Sequence, residues 1–281
     1  MRKSLKKIIP KAIGHYINTL ALVAPDAAAR KAFGIFSKPR QGKVGEHHKG
    51  FMDPSRDIKL KVGNINLQTY KWPAAGKTIL LIHGWESHTH RWKVLAEKLH
   101  LEGYNIVAFD APGHGYSEGE RLYVPIYAEA VHKMIEIYNP EILISHSIGA
   151  LTAIYSQSKN PSEKIKKMVV LGSPDKLENI LADFQRVLGL NKRVLGILDQ
   201  YFQKRFGFKT DEFSASLFAK KLSIPALIIH DKDDKITSVE GSRSIHKNWK
   251  NSKYIETEGL NHSLYSDDVN NEIVSFLKEA E

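Results

Sequence analysis

The chain contains no cysteine in 281 residues. That excludes disulfide stapling, a thiol nucleophile and any metal site built on sulfur ligands from Cys. No apolar run approaches the roughly 18 residues that a bilayer-spanning helix requires. Internal repeats and low-complexity tracts are absent as well, which removes solenoid and fibrous architectures. What remains is ordinary for a soluble globular protein, with 42% hydrophobic and 26% charged residues. The length suits one large domain with insertions, or one domain and a small cap, with enough chain to bury a sizeable core.

The formal net charge of +10 is unevenly spread. Residues 1–50 carry eleven Lys/Arg against two Asp/Glu, whereas the other 231 residues carry thirty against twenty-nine. The main body is therefore nearly neutral, so no nucleic-acid partner is expected, and the basicity belongs to an N-terminal arm. Within it, Leu5, Ile8, Ile9, Ala12, Ile13, Tyr16, Ile17 and Leu20 recur at helical spacing. Pro10 should mark a boundary or kink in that helix, and a second short helix is expected over 25–36. Lys11, His15, Tyr16 and Asn18 interrupt the apolar stretch, which argues against a secretory signal. The expected location is cytoplasmic. The arm either packs on the body with its basic residues in water or makes a weak peripheral contact with anionic lipid.

Residues 37–56 read as a linker, in which His47 and His48 form a solvated pair. Ile58–Val62 and Ile65–Trp72 alternate apolar and polar residues around Gly63-Asn64, a hairpin signature. From Lys77 onward the pattern becomes apolar strand, loop and amphipathic helix, repeated. Strands are expected at 78–83, 105–110, 141–146, 166–172, 225–230 and 253–257. Helices are expected near 90–102, 121–138, 148–159, 239–249 and 264–279. A hairpin followed by βα repeats implies an α/β fold, with a mostly parallel sheet covered by helices on both faces. Residues 175–222 interrupt the alternation with helical stripes only. The division expected is a basic helical extension over 1–50 and one domain over 51–281, with 175–222 inserted as a helical cap.

The stretch Ile142-Leu-Ile-Ser-His-Ser-Ile-Gly-Ala150 organises the rest. An apolar strand stops at small and polar residues, and a helix begins at once, so Ser147 sits at the apex of a very tight turn. Small neighbours at Ser145 and Gly149 tolerate the crowding. At that apex the hydroxyl would face the positive end of a helix. Ser-His-Ser-Ile-Gly resembles the nucleophile elbow of the α/β-hydrolase family, written Gly-x-Ser-x-Gly, with Ser145 in place of the first glycine.

Further elements carry the same resemblance in the same order. Leu81-Ile-His-Gly-Trp-Glu86 resembles the family's His-Gly element after an early strand. Asp110-Ala-Pro-Gly-His-Gly-Tyr-Ser117 resembles its Asp-x-x-Gly-x-Gly-x-Ser turn, which shapes the pocket without reacting. His230-Asp-Lys-Asp-Asp-Lys-Ile236 resembles its His-Gly-x-x-Asp-x-x-Val stretch, and that register selects Asp234. Asp231 and Asp233 then read as solvated loop residues, while Lys232 and Lys235 are placed to keep Asp234 ionised. His262 follows the last expected strand. The chain order Ser147, Asp234, His262 matches the family's order of nucleophile, acid and base.

The resemblance implies a serine hydrolase that cleaves carboxylic esters or related small acyl substrates without a cofactor. It implies a base at His262, an orienting carboxylate at Asp234 and backbone oxyanion donors at Trp85 and Ile148. Gly84, Trp85 and His146 would line the substrate. Amide, peptide or thioester cleavage would use the same residues, and a binding protein on the same scaffold is the reading from another class. No metal site is expected, because the pair His88 and His90 has no third ligand at suitable spacing. Acyl length, leaving group and oligomeric state are not legible.

Overall fold

In the computed structural model of the chain, residues 2–279 are described. The strands are β1 Arg56–Val62, β2 Ile65–Trp72, β3 Thr78–Ile82, β4 Asn105–Phe109, β5 Ile142–His146, β6 Lys167–Leu171, β7 Ala226–Asp231 and β8 Ser252–Thr257. The helices are α1 Arg2–Val23, α2 Pro25–Phe36, α3 Glu46–Met52, α4 Lys93–Leu101, α5 Val124–Tyr138 and α6 Ile148–Lys159, then α7 Leu177–Leu188, α8 Lys192–Phe206, α9 Ala215–Ala219, α10 Val239–Asn248 and α11 Asp267–Lys278. They divide into two compact units, residues 39–175 with 215–281 and residues 1–38 with 176–214.

The larger unit is built on one eight-stranded sheet in the order β1-β2-β4-β3-β5-β6-β7-β8. The β1–β2 hairpin and the β2–β4 pair are antiparallel, and every later pair is parallel. Successive side chains on a strand point to opposite faces. Ile79, Leu81, Ile106, Ala108, Ile142, Ile144, Val169, Leu171, Leu227 and Ile229 accordingly share one core, which is closed by residues of α4 and α11. The alternate residues Leu80, Ile82, Val107, Phe109, Leu143, Met168, Val170 and Ile228 are also buried. Both faces are covered, which is why these strands read as unbroken apolar runs. The sheet is that of an α/β-hydrolase fold, and every strand expected from the sequence is present within about two residues of its expected bounds.

Pro10 does not end a helix, because it lies inside α1, where the face carrying Ile17 and Ala21 is fully buried and packing outweighs the lost backbone bond. Residues 37–56 are also not wholly linker, since α3 and a short 3-10 turn at Asp53–Ser55 occupy part of them. Met52 anchors that segment in the sheet's core.

The smaller unit joins segments distant in sequence. The Phe33 ring lies 5.3 Å from that of Tyr201 and 5.7 Å from that of Phe202, and the Phe36 ring lies 5.3 Å from that of Phe184. Asn18 donates to Gly189 O at 2.9 Å and accepts from the Asn191 N–H at 2.9 Å, while Lys11 caps Arg186 O at 2.6 Å. The arm is thus folded with α7 and α8. On the opposite side of α1, Ile8, Ile9, Tyr16, Leu22 and Val23 stay exposed, at 52–82%. At 100° per residue these five fall within about 140° of arc, a second apolar stripe that the described residues leave exposed.

Candidate active site

The sharp turn between β5 and α6 sets Ser147 at φ +56° and ψ −127°, a region that non-glycine residues rarely occupy. Two neighbours explain how the chain tolerates it. A Cβ on Gly149 would lie 2.3 Å from His83 O and 2.7 Å from Ile82 O, so α6 can approach β3 this closely only with glycine there. Ser145, standing where the family motif has glycine, donates its hydroxyl to Val169 O at 2.9 Å and is fully buried. The departure from the motif is therefore a hydrogen bond to β6.

Ser147, His262 and Asp234 come together although 115 and 28 residues separate the successive pairs. His262 Nε2 is 3.0 Å from Ser147 Oγ, and His262 Nδ1 is 2.7 Å from Asp234 Oδ2. If Nδ1 carries the proton and donates to the carboxylate, Nε2 is left to accept from the serine hydroxyl.

Asp234 is held by more than the imidazole. Its Oδ1 accepts from the Ile236 and Thr237 N–H groups at 2.8 and 2.9 Å. Oδ2 takes the Thr237 hydroxyl at 2.7 Å, and His230 Nε2 lies 3.2 Å away. Burial alone would raise this carboxyl, but the bonds from His230, His262 and Thr237 outweigh it and hold the group well below the usual carboxylate range. Lys232 and Lys235, expected to keep it ionised, do not touch it, and Lys232 instead pairs with Glu258 at 3.8 Å. Buried hydrogen bonds do what exposed, solvated cations were expected to do.

Asp231 departs from its expected solvated role. It is fully buried and accepts from the Thr257 hydroxyl at 2.7 Å and from the N–H groups of Leu260, Asn261 and Asp233 at 2.9–3.0 Å. Asp233, which is exposed, still accepts from Gly259 N–H at 2.9 Å. The two carboxylates grip consecutive amides of the loop that ends in His262. Asn261 and Leu264, at φ +55° and +54°, bound that loop in left-handed conformations that the grip helps to maintain.

The loop after β3 is fixed from the other side. His83 donates from Nδ1 to Gly84 O at 2.8 Å and accepts at Nε2 from the Ala111 N–H at 2.9 Å. Burial, with His114 nearby, keeps its pKa well below the ordinary histidine value, so it stays neutral. Asp110 accepts from the Tyr70 hydroxyl at 2.6 Å and from the Thr89 and Tyr116 N–H groups at 2.9 Å. Ser117 closes the same turn by donating to Asp110 O at 2.6 Å. Gly84 passes so near the nucleophile that a Cβ on it would lie 2.9 Å from Ser147 Cβ. Among the described residues no intramolecular hydrogen bond takes the N–H of Trp85 or of Ile148.

His146 is buried and engaged at both ring nitrogens. Arg91 Nη1 lies 2.8 Å from Nδ1, and Nε2 lies 2.7 Å from His262 O. His47-His48 is not an isolated solvated pair. The His48 ring lies 3.7 Å from that of His47, 4.4 Å from that of His88 and 4.5 Å from that of His90. Among the described residues no group of three or more His, Asp or Glu side chains is arranged to hold a metal ion. His230, Thr237, Asp231 and Arg91 were not singled out from the sequence as parts of the site. Only His230 and Asp231 carried a signal, by lying within the stretch that selected Asp234.

A mostly parallel sheet with a strained serine at a strand-to-helix turn, and a histidine and an aspartate brought to it by later strands, is the arrangement of the α/β-hydrolase fold, which the solved structures similar to this chain share. Residues 73–205 match the profile of the family described as serine aminopeptidase, S33. A bifunctional esterase/perhydrolase of Acinetobacter calcoaceticus is 22% identical over 262 residues, covering 73% of this chain and 93% of that protein. A probable lysophospholipase of Haemophilus influenzae is 33% identical over 136 residues, covering 44% of this chain and 42% of that protein. Among solved structures, a bromoperoxidase from Bacillus anthracis superposes with a TM-score of 0.64 at 22% identity, over 80% of this chain and all of that one. These similarities support a hydrolase.

Proposed function

We propose that this protein is a serine hydrolase that cleaves carboxylic esters through an acyl-enzyme on Ser147. The observation that carries the reading is the hydrogen-bonded run from Ser147 Oγ through His262 to Asp234, at 3.0 and 2.7 Å. In the proposed mechanism His262 Nε2 takes the hydroxyl proton as Ser147 Oγ attacks the acyl carbon. The N–H groups of Ile148 and Trp85 receive the developing oxyanion, and Asp234 steadies the imidazolium. His262 then gives its proton to the leaving alkoxide. In the second half it deprotonates water, whose attack on the acyl carbon breaks the bond to Ser147 Oγ and releases the acid, and His262 returns the proton to that oxygen.

Esterase and lysophospholipase relatives favour the ester, while the aminopeptidase description of the matching family favours an amide as the second reading. Acyl-enzyme chemistry accommodates both, so the leaving group must be measured. Matched p-nitrophenyl esters, p-nitroanilides and thioesters of short acids should be assayed with wild type and Ser147→Ala. The expected result is ester turnover that disappears in the variant with an unchanged circular dichroism spectrum. Undiminished turnover by Ser147→Ala removes the mechanism, and anilide turnover above ester turnover replaces the substrate class.

A peripheral contact with anionic lipid is proposed for the arm, supported by its basic sequence and the uncovered apolar stripe of α1. Co-sedimentation with phosphatidylglycerol vesicles should occur for the full chain and weaken at least tenfold in Ile9→Glu/Leu22→Glu. Absence of wild-type binding rejects it.

A further inference from the structure

The Arg91 guanidinium stands against His146, the residue preceding the nucleophile. It lies on the 3-10 turn Thr89–Trp92, between the rings of Trp92 and Tyr265, with Cζ 4.7 and 5.3 Å from their centres. Of its five donors, one Nη1 proton meets His146 Nδ1 at 2.8 Å and one Nη2 proton meets Ser263 O at 3.2 Å. Nε is buried and has no partner. No carboxylate pairs with it among the described residues. Holding a half-buried cation without a counter-ion is costly, and an apolar side chain would fill the space between two aromatic rings at less expense. The residue is therefore poorly explained by stability.

Its two bonds explain it better. Arg91 can only donate, so His146 Nδ1 must accept, and the imidazole proton is forced onto Nε2. Nε2–H then donates to His262 O at 2.7 Å. The carbonyls of His262 and Ser263 are thus held, respectively, by His146 and by Arg91 itself. Asp231 and Asp233 hold the amides of residues 259–261 immediately before them. The base loop is gripped by carboxylates at its N–H groups and by this pair at its carbonyls. Burial lowers Arg91 to about 10, which still leaves it charged at neutral pH, and burial together with that charge keeps His146 neutral.

We propose that Arg91, acting through His146 and Ser263, is a positioning residue that sets the reach of His262 toward Ser147. The proposal rests on the serine-hydrolase reading above. A loop released on its carbonyl side lets the imidazole drift from the 3.0 Å at which it meets the hydroxyl, and a misplacement of about 1 Å costs on the order of 100-fold in rate.

The test compares wild type, Arg91→Ala and Arg91→Lys in two assays, steady-state ester turnover and the rate at which a fluorophosphonate labels Ser147. Labelling forms the Ser147 Oγ–phosphorus bond, expels fluoride and passes the hydroxyl proton to His262, so it reports base placement without ester binding. Arg91→Ala should lose about 100-fold in kcat and a similar factor in labelling, with KM within about threefold. Arg91→Lys should fall between the two, because one ammonium can reach His146 but cannot fork to Ser263 O. Labelling by Arg91→Lys at the wild-type rate overturns the proposal, and that comparison stands even if Arg91→Ala fails to fold. A raised KM with unchanged kcat and labelling also overturns it, assigning Arg91 to substrate instead. Wild type that resists labelling overturns the hydrolase reading itself, and this proposal with it.

Discussion

Gly149→Ala is the sharpest probe of how the fold holds the site. The added methyl would stand 2.3 Å from His83 O and 2.7 Å from Ile82 O, both backbone atoms of β3 and its following loop. Carbon and oxygen in close contact sit at about 3.3 Å, so α6 and the β3 loop must separate by roughly 1 Å. Both carry the proposed oxyanion donors, Ile148 on one side and Trp85 on the other. Overpacking of this kind costs about 1–3 kcal/mol, of which the better helix propensity of alanine returns at most about 1 kcal/mol. A net loss of up to roughly 2 kcal/mol is therefore expected in urea denaturation, as a lower midpoint with unchanged slope. The same displacement should cost on the order of 100-fold in kcat. A variant with wild-type midpoint and kcat within threefold would refute the argument that the α6–β3 contact sets the oxyanion geometry.

Asp234→Asn should lower kcat by about 10⁴-fold, because an amide offers His262 Nδ1 a donor as readily as an acceptor and permits the wrong tautomer; a loss under tenfold would remove Asp234 from the mechanism. Stability should fall on acidification below pH 6.5. His83 and His146 stay neutral well below the ordinary histidine value and His88 does so down to about 4, so the unfolded chain takes up protons first. Each histidine contributes a slope of up to about 1.4 kcal/mol per pH unit, and urea midpoints that do not change from pH 7.5 to 5 would contradict this. Gly196→Ala, where an added Cβ meets nothing within 4 Å on the exposed face of α8, should raise stability by about 0.5–1 kcal/mol; a lowered midpoint would show that this face of α8 has no room for the added methyl.

What the sequence determined by itself is everything encoded over short range. Apolar alternation marked the β1–β2 hairpin, continuous apolar runs marked strands buried on both faces, and the small residues around Ser147 marked the turn. Position after a strand singled out His262, and the register of the stretch resembling the family's His-Gly-x-x-Asp-x-x-Val chose Asp234 from three neighbouring carboxylates. The tertiary structure alone decided which distant groups meet. It made Asp231 a buried clamp, gave Asp234 partners in His230 and Thr237 in place of lysines, and engaged both ring nitrogens of His146, with Arg91 and the base loop. It also joined the arm to α7 and α8 across more than 150 residues. Periodicity reports which face of an element seeks burial. It carries no record of which other element will cover that face, because that choice is made by shape and hydrogen-bond complementarity once the chain has closed on itself.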